Sequence, residues 1–503
     1  MGITGLWSLL EPVKEDIFLS ECKGQRIAVD LSTWILQCAL ITNDSFARSA
    51  KSFLKHRGIF FRAINVSKLG INLVFVIDGP DAPPRKGKLS RQLFFLESQQ
   101  YKKLLTAMGF LVVEAKGEAE KMCAELNQQK LVDGVLTCDG DALVYGAQVV
   151  YKGMFTDKKE LRAAKYTMEK VNSILHMGHK DLVAFALLSK GDVSDGVNSV
   201  GEKTFLELFK EFERNGVQDI LERLKSWGSN PELNELEKRM SEADRMPKKT
   251  HCSQCGHEGR KNLHCSSGCP VCETDIGCHS SLQASDKLVG TRVEHLLCPC
   301  IYCAAQREVK SHKHELKIRR LALEQNEDFP QCEVINEFLI PQNTLPELSQ
   351  VHMNRPNFAD IYSIVREKLH FSPGQTAEYL IPWIIKIALN GILPNVDVEP
   401  VQIIKICTEN FETCYRVKWA KLADFDELSE DTGDAYEFNV ALSLFESKYP
   451  DLSRQFKLQN SSSKKKRKSE QDRDSKQPKI TEMFKVSKEV SGIQQASYRA
   501  AKP

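Results

Sequence analysis

The sequence lacks any apolar run approaching the roughly 20 residues needed to cross a bilayer. Its most apolar stretch, Tyr379 to Leu393, is interrupted by Pro382 and Lys386. The opening MGITGLWSLLEPV has neither a basic n-region nor a small-residue cleavage site, so no secretory signal is expected. Leu6 stands where N-myristoylation requires Ser or Thr. Internal repeats are absent too. An excess of one charge is also missing: 69 Lys and Arg face 67 Asp and Glu, a formal +2. Taken in bulk, that balance argues against a nucleic-acid partner. What is present, 42% hydrophobic and 27% charged residues over 503 positions, excludes a collagen-like, coiled-coil or wholly disordered chain. The length leaves room for about two to four domains. The chain is expected to be intracellular, so its 16 cysteines read as thiols or metal ligands before disulfides.

Residues 1–160 alternate between strand-like and helix-like patterns. Gln25–Asp30, Asn72–Asp78 and Val132–Thr137 are continuous apolar runs, and Arg48–Lys68 and Leu89–Met108 are helix-like. Buried runs separated by helices predict an α/β fold around a parallel sheet. Residues 161–230 read as helical with a glycine-punctuated break at Gly191–Gly201, and a polar segment follows near 228–250. A Cys/His-rich block spans 251–303, helical patterning returns over 304–395, and 396–450 contains a strand pair. From 457 to 503 the composition predicts a disordered basic tail.

The chemistry gathers at the strand ends. Three predicted strands run into acids, namely Asp30, Asp78 and the pair Asp139/Asp141, and Glu118 and Glu120 follow the run Phe110–Val113. In an open α/β sheet such ends share one crevice. Any one of these acids could be a turn former or a helix cap. Several together cannot stay ionised in one site without cations, and hard oxygen donors point to Mg²⁺ or Mn²⁺. Two such ions about 3.5–4 Å apart are the machinery of phosphodiester hydrolysis.

These residues lead to a resemblance. MGITGLWSLL, Ile-Ala-Val-Asp30, Val-Ile-Asp78-Gly79, Gly117-Glu118-Ala119-Glu120 and Thr137-Cys138-Asp139-Gly140-Asp141 occur in the order found in the flap endonuclease/xeroderma pigmentosum group G superfamily. The resemblance implies a PIN-like nuclease core that cuts branched DNA with two Mg²⁺ ions. The implied ligands are Asp30, Asp78, Glu118, Glu120, Asp139, Asp141 and, in a turn where Val193 replaces the family's tyrosine, Asp192, with Asp195 as the lesser alternative. It also implies a helix–two-turn–helix whose backbone grips DNA through Gly196, Gly201 and Lys203, and a clamp with Lys86 or Lys88 and Arg91. Gly2 would lie beside the active site and contact DNA. The Cys-rich insertion, the opening Leu6–Lys14 and Tyr145-Gly146-Ala147 resemble the Holliday junction resolvase (Gen) branch. That branch implies cleavage of four-way junctions and 5′ flaps to 5′-phosphate and 3′-hydroxyl ends, by two copies on one junction. A flap or excision nuclease without junction resolution, and a catalytically weak DNA-binding scaffold, remain the alternatives. The strand motif Tyr415–Trp419 matches the branch's chromodomain-like module, with too few aromatics for a methyl-lysine cage, so a DNA-contacting or packing role is expected.

Nine cysteines fall within 251–303. Cys252-x-x-Cys255 followed by Cys269-x-x-Cys272 has zinc-ribbon spacing, and Cys278, Cys298, Cys300 and Cys303 with His279 and His295 are candidates for a second site. The tail 457–503 holds ten Lys and three Arg against five acids, a formal +8 that leaves −6 for the remainder. Lys464–Lys468 reads as a nuclear-import signal or a nonspecific phosphate binder, with a solvating charge run as the alternative. Gln477, Ile480, Met483 and Phe484 resemble a sliding-clamp-binding box in which Met483 occupies the first aromatic position. Bulk charge argues against a nucleic-acid partner; the placement of that charge argues for one.

Overall fold

The computed structural model describes residues 2–40, 48–82, 91–157, 160–278, 298–393, 398–409, 412–420 and 435–460. Lys86, Lys88, His279, His295, the basic cluster Lys464–Lys468 and the motif Gln477, Ile480, Met483, Phe484 lie outside these residues. Two compact units emerge, a larger one within Met1–Asp397 and a smaller one containing Val398–Lys421 and the chain from Thr432.

The larger unit is built on a seven-stranded sheet. Its strands are β1 (Glu15–Phe18), β2 (Arg26–Asp30), β3 (Asn72–Ile77), β4 (Leu111–Glu114), β5 (Gly134–Thr137), β6 (Val149–Asp157) and β7 (Glu160–Thr167), in the order β1-β7-β6-β5-β2-β3-β4. Ile27–Val29 and Leu73–Ile77 are buried, as their unbroken apolar sequence requires of strands covered on both faces. Parallel register sets Val29 opposite Phe75 and Ala28 opposite Val135. The chain proceeds from β2 outward through β3 and β4, then returns to lay β5 on the other side of β2. That reversal opens a crevice at the carboxyl ends of β2 and β5.

The α/β expectation is borne out, but the sheet is mixed rather than parallel throughout. β6 pairs antiparallel with β7, and β7 with β1. Only two residues separate β6 from β7, and so short a connection permits only an antiparallel return. The segment near 228–250 is likewise more than a polar link, because Pro231–Arg245 is a helix. Leu233 is buried and Leu236 and Met240 pack beside it, a sparse apolar stripe at helical spacing that the surrounding charges mask.

The most apolar stretch lies largely in the helix Pro373–Leu389, a core element: Trp383 is buried and its Nε1 donates to Ser67 Oγ at 2.8 Å. Among the described residues no helix is long and apolar enough to cross a membrane.

The smaller unit is a three-stranded antiparallel sheet, β8 (Pro400–Glu409), β9 (Glu412–Ala420) and β10 (Ala435–Ala441), followed by the helix Leu442–Lys448. Tyr415 and Trp419 are both fully buried. Trp419 stacks on Phe438 with ring centroids 5.6 Å apart, and the Tyr415 hydroxyl donates to Glu446 at 2.8 Å. Both aromatics belong to the packing of the module.

Candidate active site at the strand ends

Asp30 is the last residue of β2 and is nearly buried, at 4% exposure. The Thr137 hydroxyl, from the end of β5, donates to its Oδ2 at 3.2 Å, the Thr33 hydroxyl donates to the same oxygen, and the Thr33 amide donates to Oδ1 at 3.2 Å. Two neighbouring strands therefore fix one carboxylate. Asp78 follows β3 and accepts from the Ala119 amide at 3.0 Å, at the start of the helix Ala119–Gln128. The ends of β3 and β4 approach so closely here that a Cβ on Gly79 would sit 1.7 Å from the Ala115 carbonyl oxygen. Glycine at that position lets Asp78 and Glu118 share one end of the crevice.

Glu118 caps the same helix, Glu120 lies in its first turn, and the Tyr145 hydroxyl donates to Glu118 Oε2 at 3.2 Å. Beyond β5 the Asp139 amide donates to Thr137 Oγ1 at 3.1 Å and the Asp141 amide to Asp139 Oδ1 at 3.3 Å, which folds both acids back toward the sheet. The Ile3 amide donates to Asp141 Oδ1 and the Gly2 amide to Asp192 Oδ2, each at 2.9 Å. Asp192 thereby stands with the other carboxylates. Asp195 lines a separate depression with Ser194, Val197 and Gln325.

The electrostatics tie the acids together. Burial first, then the Asp78 charge, pushes the Glu118 carboxyl up to about 7, against a lowering hydrogen bond from Tyr145. Burial and the charges of Asp139, Asp141, Glu118 and Asp30 hold Glu120 well above the usual carboxylate range. Asp141 is raised by burial and then by Asp139, while Asp139 is raised by burial against the Asp141 amide. The upward pressure on Glu120 and Asp141 thus comes from desolvation and from other carboxylates. An all-oxygen, mutually repelling donor set of this kind fits hard divalent cations.

Around the second element of the site, Gly201 precedes the helix Glu202–Arg214, and Lys203 is exposed in its first turn. Gln325, from the helix Lys313–Gln325, brackets the preceding turn. Its Nε2 donates to the Gly196 carbonyl at 2.8 Å, and its Oε1 accepts from the Asn198 amide at 3.0 Å. Arg91 opens the helix Arg91–Ala107. Sequence reading missed Thr137 and Gln325 as supporting residues, because a hydroxyl or amide that bonds across more than 100 positions leaves no local signature. It also missed Thr33, whose bonds to Asp30 are local, because a threonine in the first turn of a helix is unremarkable by itself.

The cysteine pairs divide differently from the ribbon expectation. Cys252, Cys255, Cys269 and Cys272 do not close on one point. Cys252 and Cys255 join His264 and Cys278, whereas Cys269 and Cys272 join Cys255 and His257. Cys298, Cys300 and Cys303 meet His251, and Cys278 is not part of that set.

An α/β core with acids gathered at its strand ends defines a nuclease-type scaffold, and similarity to known proteins gives it a family. The XPG N-terminal domain matches residues 1–93 and the XPG I-region residues 109–192. Flap endonuclease GEN-like 1 of Arabidopsis thaliana is 30% identical over 437 residues, covering 77% of this chain and 68% of the plant protein. Flap endonuclease GEN homolog 1 of Mus musculus is 30% identical over 490 residues, covering 92% of this chain and 51% of the mouse protein. The chain belongs to the XPG family, among the GEN flap endonucleases. It spans about half the length of the mouse and human relatives it matches. The crystal structure of human GEN1 in complex with Holliday junction DNA shares the fold, with a TM-score of 0.62 and 23% identity over 92% of this chain and 100% of that one.

Proposed function

We propose that this chain is a structure-selective DNA endonuclease that cuts Holliday junctions and 5′ flaps. The observation that carries the reading is the convergence of Asp30, Asp78, Glu118, Glu120, Asp139, Asp141 and Asp192 on one crevice, each of them either hydrogen-bonded within it or electrostatically linked to the others. Asp30, Asp78, Glu118 and Glu120 would mainly hold one Mg²⁺, and Asp139, Asp141 and Asp192 a second. Such a pair supplies an activated water and neutralises charge on the scissile phosphate.

The chain's own groups prepare that site. Donation from Thr33 and Thr137 orients Asp30, and the Ala119, Ile3 and Gly2 amides orient Asp78, Asp141 and Asp192. Tyr145 does the same for Glu118, the acid under the greatest pressure from Asp78. Gly196, Gly201 and Lys203 would grip duplex backbone beside the crevice, with Gln325 holding the shape of the turn. Lys86, Lys88 and Arg91 would engage phosphate near the cut.

We further read the Cys-rich insertion as a structural zinc element and the β8–β10 module as a packing or DNA-contacting one. From sequence alone we infer nuclear import through Lys464–Lys468, sliding-clamp binding through Gln477, Ile480, Met483 and Phe484, and two copies acting on one four-way junction. The deciding experiment incubates labelled four-way junctions and 5′ flaps side by side, with and without Mg²⁺. Symmetric nicks on the junction are expected only with the metal. Flap cleavage without junction cleavage would reduce the protein to a flap nuclease, and metal-independent cutting would remove the two-ion site.

A further inference from the structure

The block from His251 to Cys278 has almost no ordinary core. Its buried cluster is Cys252, Cys255 and Cys269, with Val271, Cys272 and Cys278 packed against it. Val271 is the sole aliphatic side chain in that set, so burial of hydrocarbon cannot be what holds these turns. The spacing of the polar atoms supplies the missing term. Zn–S bonds of about 2.3 Å and Zn–N bonds of about 2.0–2.1 Å in a tetrahedron place ligand atoms about 3.8 Å (S···S) and about 3.5 Å (S···N) apart.

The observed separations follow that pattern. Cys252 Sγ stands 3.8 Å from Cys278 Sγ, and Cys255 Sγ 3.3 Å from His264 Nδ1. Cys269 Sγ and Cys272 Sγ each stand 3.4 Å from His257 Nδ1. Cys300 Sγ and Cys303 Sγ lie 3.5 and 3.1 Å from His251 Nε2. The 3.8 Å gap between Cys252 and Cys278 is far from the roughly 2.05 Å of a disulfide.

The histidines carry a second, independent signature. His264 turns Nδ1 to its cysteine while Nε2 lies 3.1 Å from the Glu258 carbonyl oxygen. His251 does the reverse, with Nδ1 2.8 Å from the Lys249 carbonyl oxygen and Nε2 facing Cys300 and Cys303. A carbonyl oxygen can only accept, so each contact fixes the proton on that nitrogen and leaves the other with a lone pair aimed at thiols. Zinc-ligating histidines are oriented in this way.

We propose that the Cys-rich segment 251–303 binds three structural zinc ions, two of them joined through the Cys255 thiolate. Cys252, Cys255, His264 and Cys278 surround the first, Cys255, His257, Cys269 and Cys272 the second, and His251, Cys298, Cys300 and Cys303 the third. Sharing is required because Cys255 belongs to both four-membered sets, and a thiolate has lone pairs for two metals. The third ion ties His251 to Cys298, Cys300 and Cys303 at the far end of the Cys-rich segment 251–303, between the helices Pro231–Arg245 and Ile301–Ser311, which pack against each other. The inference deepens the structural-zinc reading and is independent of nuclease activity.

The test measures metal and thiols on the full chain, not cleavage. Elemental analysis after gel filtration should give three zinc per chain. Less than one would end the zinc reading altogether, one would overturn the shared-thiolate arrangement while leaving a simpler zinc site, and two would overturn the three-ion count. Loading with cadmium-113 should give three resonances, two of them coupled to each other through Cys255, and three uncoupled resonances would also overturn the sharing. His251→Ala should lower the zinc content from three to two, and an unchanged content would remove the third site. Cys265, exposed and outside all three sets, is the internal control. Alkylation of the native chain should label Cys265 while sparing the ligand cysteines until a chelator is added, and equal labelling beforehand would contradict the proposal.

Discussion

The amide of Gly2 donates to Oδ2 of Asp192 at 2.9 Å, across 190 positions of sequence. The Ile3 amide does the same for Asp141, so the first residues of the chain form part of the frame that holds two carboxylates. Gly2 adopts φ +89°, and a Cβ there would lie 2.1 Å from Asp139 Oδ1. Gly2→Ala should therefore displace Asp139 or break the bond to Asp192. We expect a loss of about tenfold or more in single-turnover cleavage, about 1.4 kcal/mol on the barrier, with little change in melting temperature. An unaltered rate would separate the N-terminus from the site.

Glu120 sits in the first turn of its helix under pressure from Asp139, Asp141, Glu118 and Asp30. Glu120→Gln removes a charge while keeping the shape and relieves repulsion, so the fold should be retained or stabilised. Cleavage should fall by about 100-fold or more, about 2.7 kcal/mol, while junction binding measured by fluorescence anisotropy in Ca²⁺ stays within a few-fold. Full activity in this variant would refute the two-metal assignment.

The sheet centre was legible because its code is local: Ile27–Val29 and Leu73–Ile77 are uninterrupted apolar runs, and each leads into its acid. The edge was not, because Val149–Asp157 and Glu160–Thr167 mix Lys152, Arg162 and Lys165 into strands whose charges lie along aromatic faces. Lys152 sits 4.1 Å from the Trp7 ring centroid and Arg162 4.0 Å from that of Phe18, contacts invisible in a one-dimensional pattern. At the site, the acids could be read one strand at a time, but Thr137, Tyr145 and Gln325 support it through long-range bonds. In the cysteine block spacing found the pairs, yet the histidines decide how they are grouped.

Tyr145 offers a test of orientation without loss of charge. Its hydroxyl bond lowers the Glu118 carboxyl against burial and Asp78, and the result still lies at about 7. Tyr145→Phe removes the donor, so Glu118 should need a higher pH to ionise. The acidic limb of the pH profile of kcat/KM should move upward by up to about one unit, worth about 1.4 kcal/mol, and activity should recover at pH 9. A uniform loss at all pH values would assign Tyr145 a purely packing role.

The same shifts predict how the metal-free protein responds to pH. Glu118, Glu120, Asp139 and Asp141 are all raised in the folded state, so the folded chain binds more protons than the unfolded one in the intervening range. The Glu118 contribution is fully present below its ordinary value of about 4.5 and is lost as pH rises through about 7, while those of Glu120, Asp139 and Asp141 are lost as pH rises through their own raised positions. Divalent cations bind the ionised form. The rise in melting temperature caused by Mg²⁺ over EDTA should therefore grow between pH 5.5 and pH 8, by about 1 °C for each kcal/mol in a unit of this size. A rise independent of pH would mean that Mg²⁺ binds elsewhere.

Trp419 separates packing from ligand recognition in the smaller unit. Its ring is fully buried, stacked on Phe438 and edged by Phe445 and Tyr449. A cage for methyl-lysine needs aromatic faces open to a cation, and neither Trp419 nor Tyr415 has one. Wild-type protein should show no heat of binding to trimethyl-lysine peptides by calorimetry. Trp419→Ala should destabilise the module by about 3–5 kcal/mol, as expected for emptying a buried aromatic site. Trp419 Nε1 has no hydrogen-bond partner among the described residues, so Trp419→Phe forfeits only packing and should cost less. If Trp419→Ala instead left stability intact and abolished a measurable peptide affinity, the ring would be a recognition element and the packing assignment would fall.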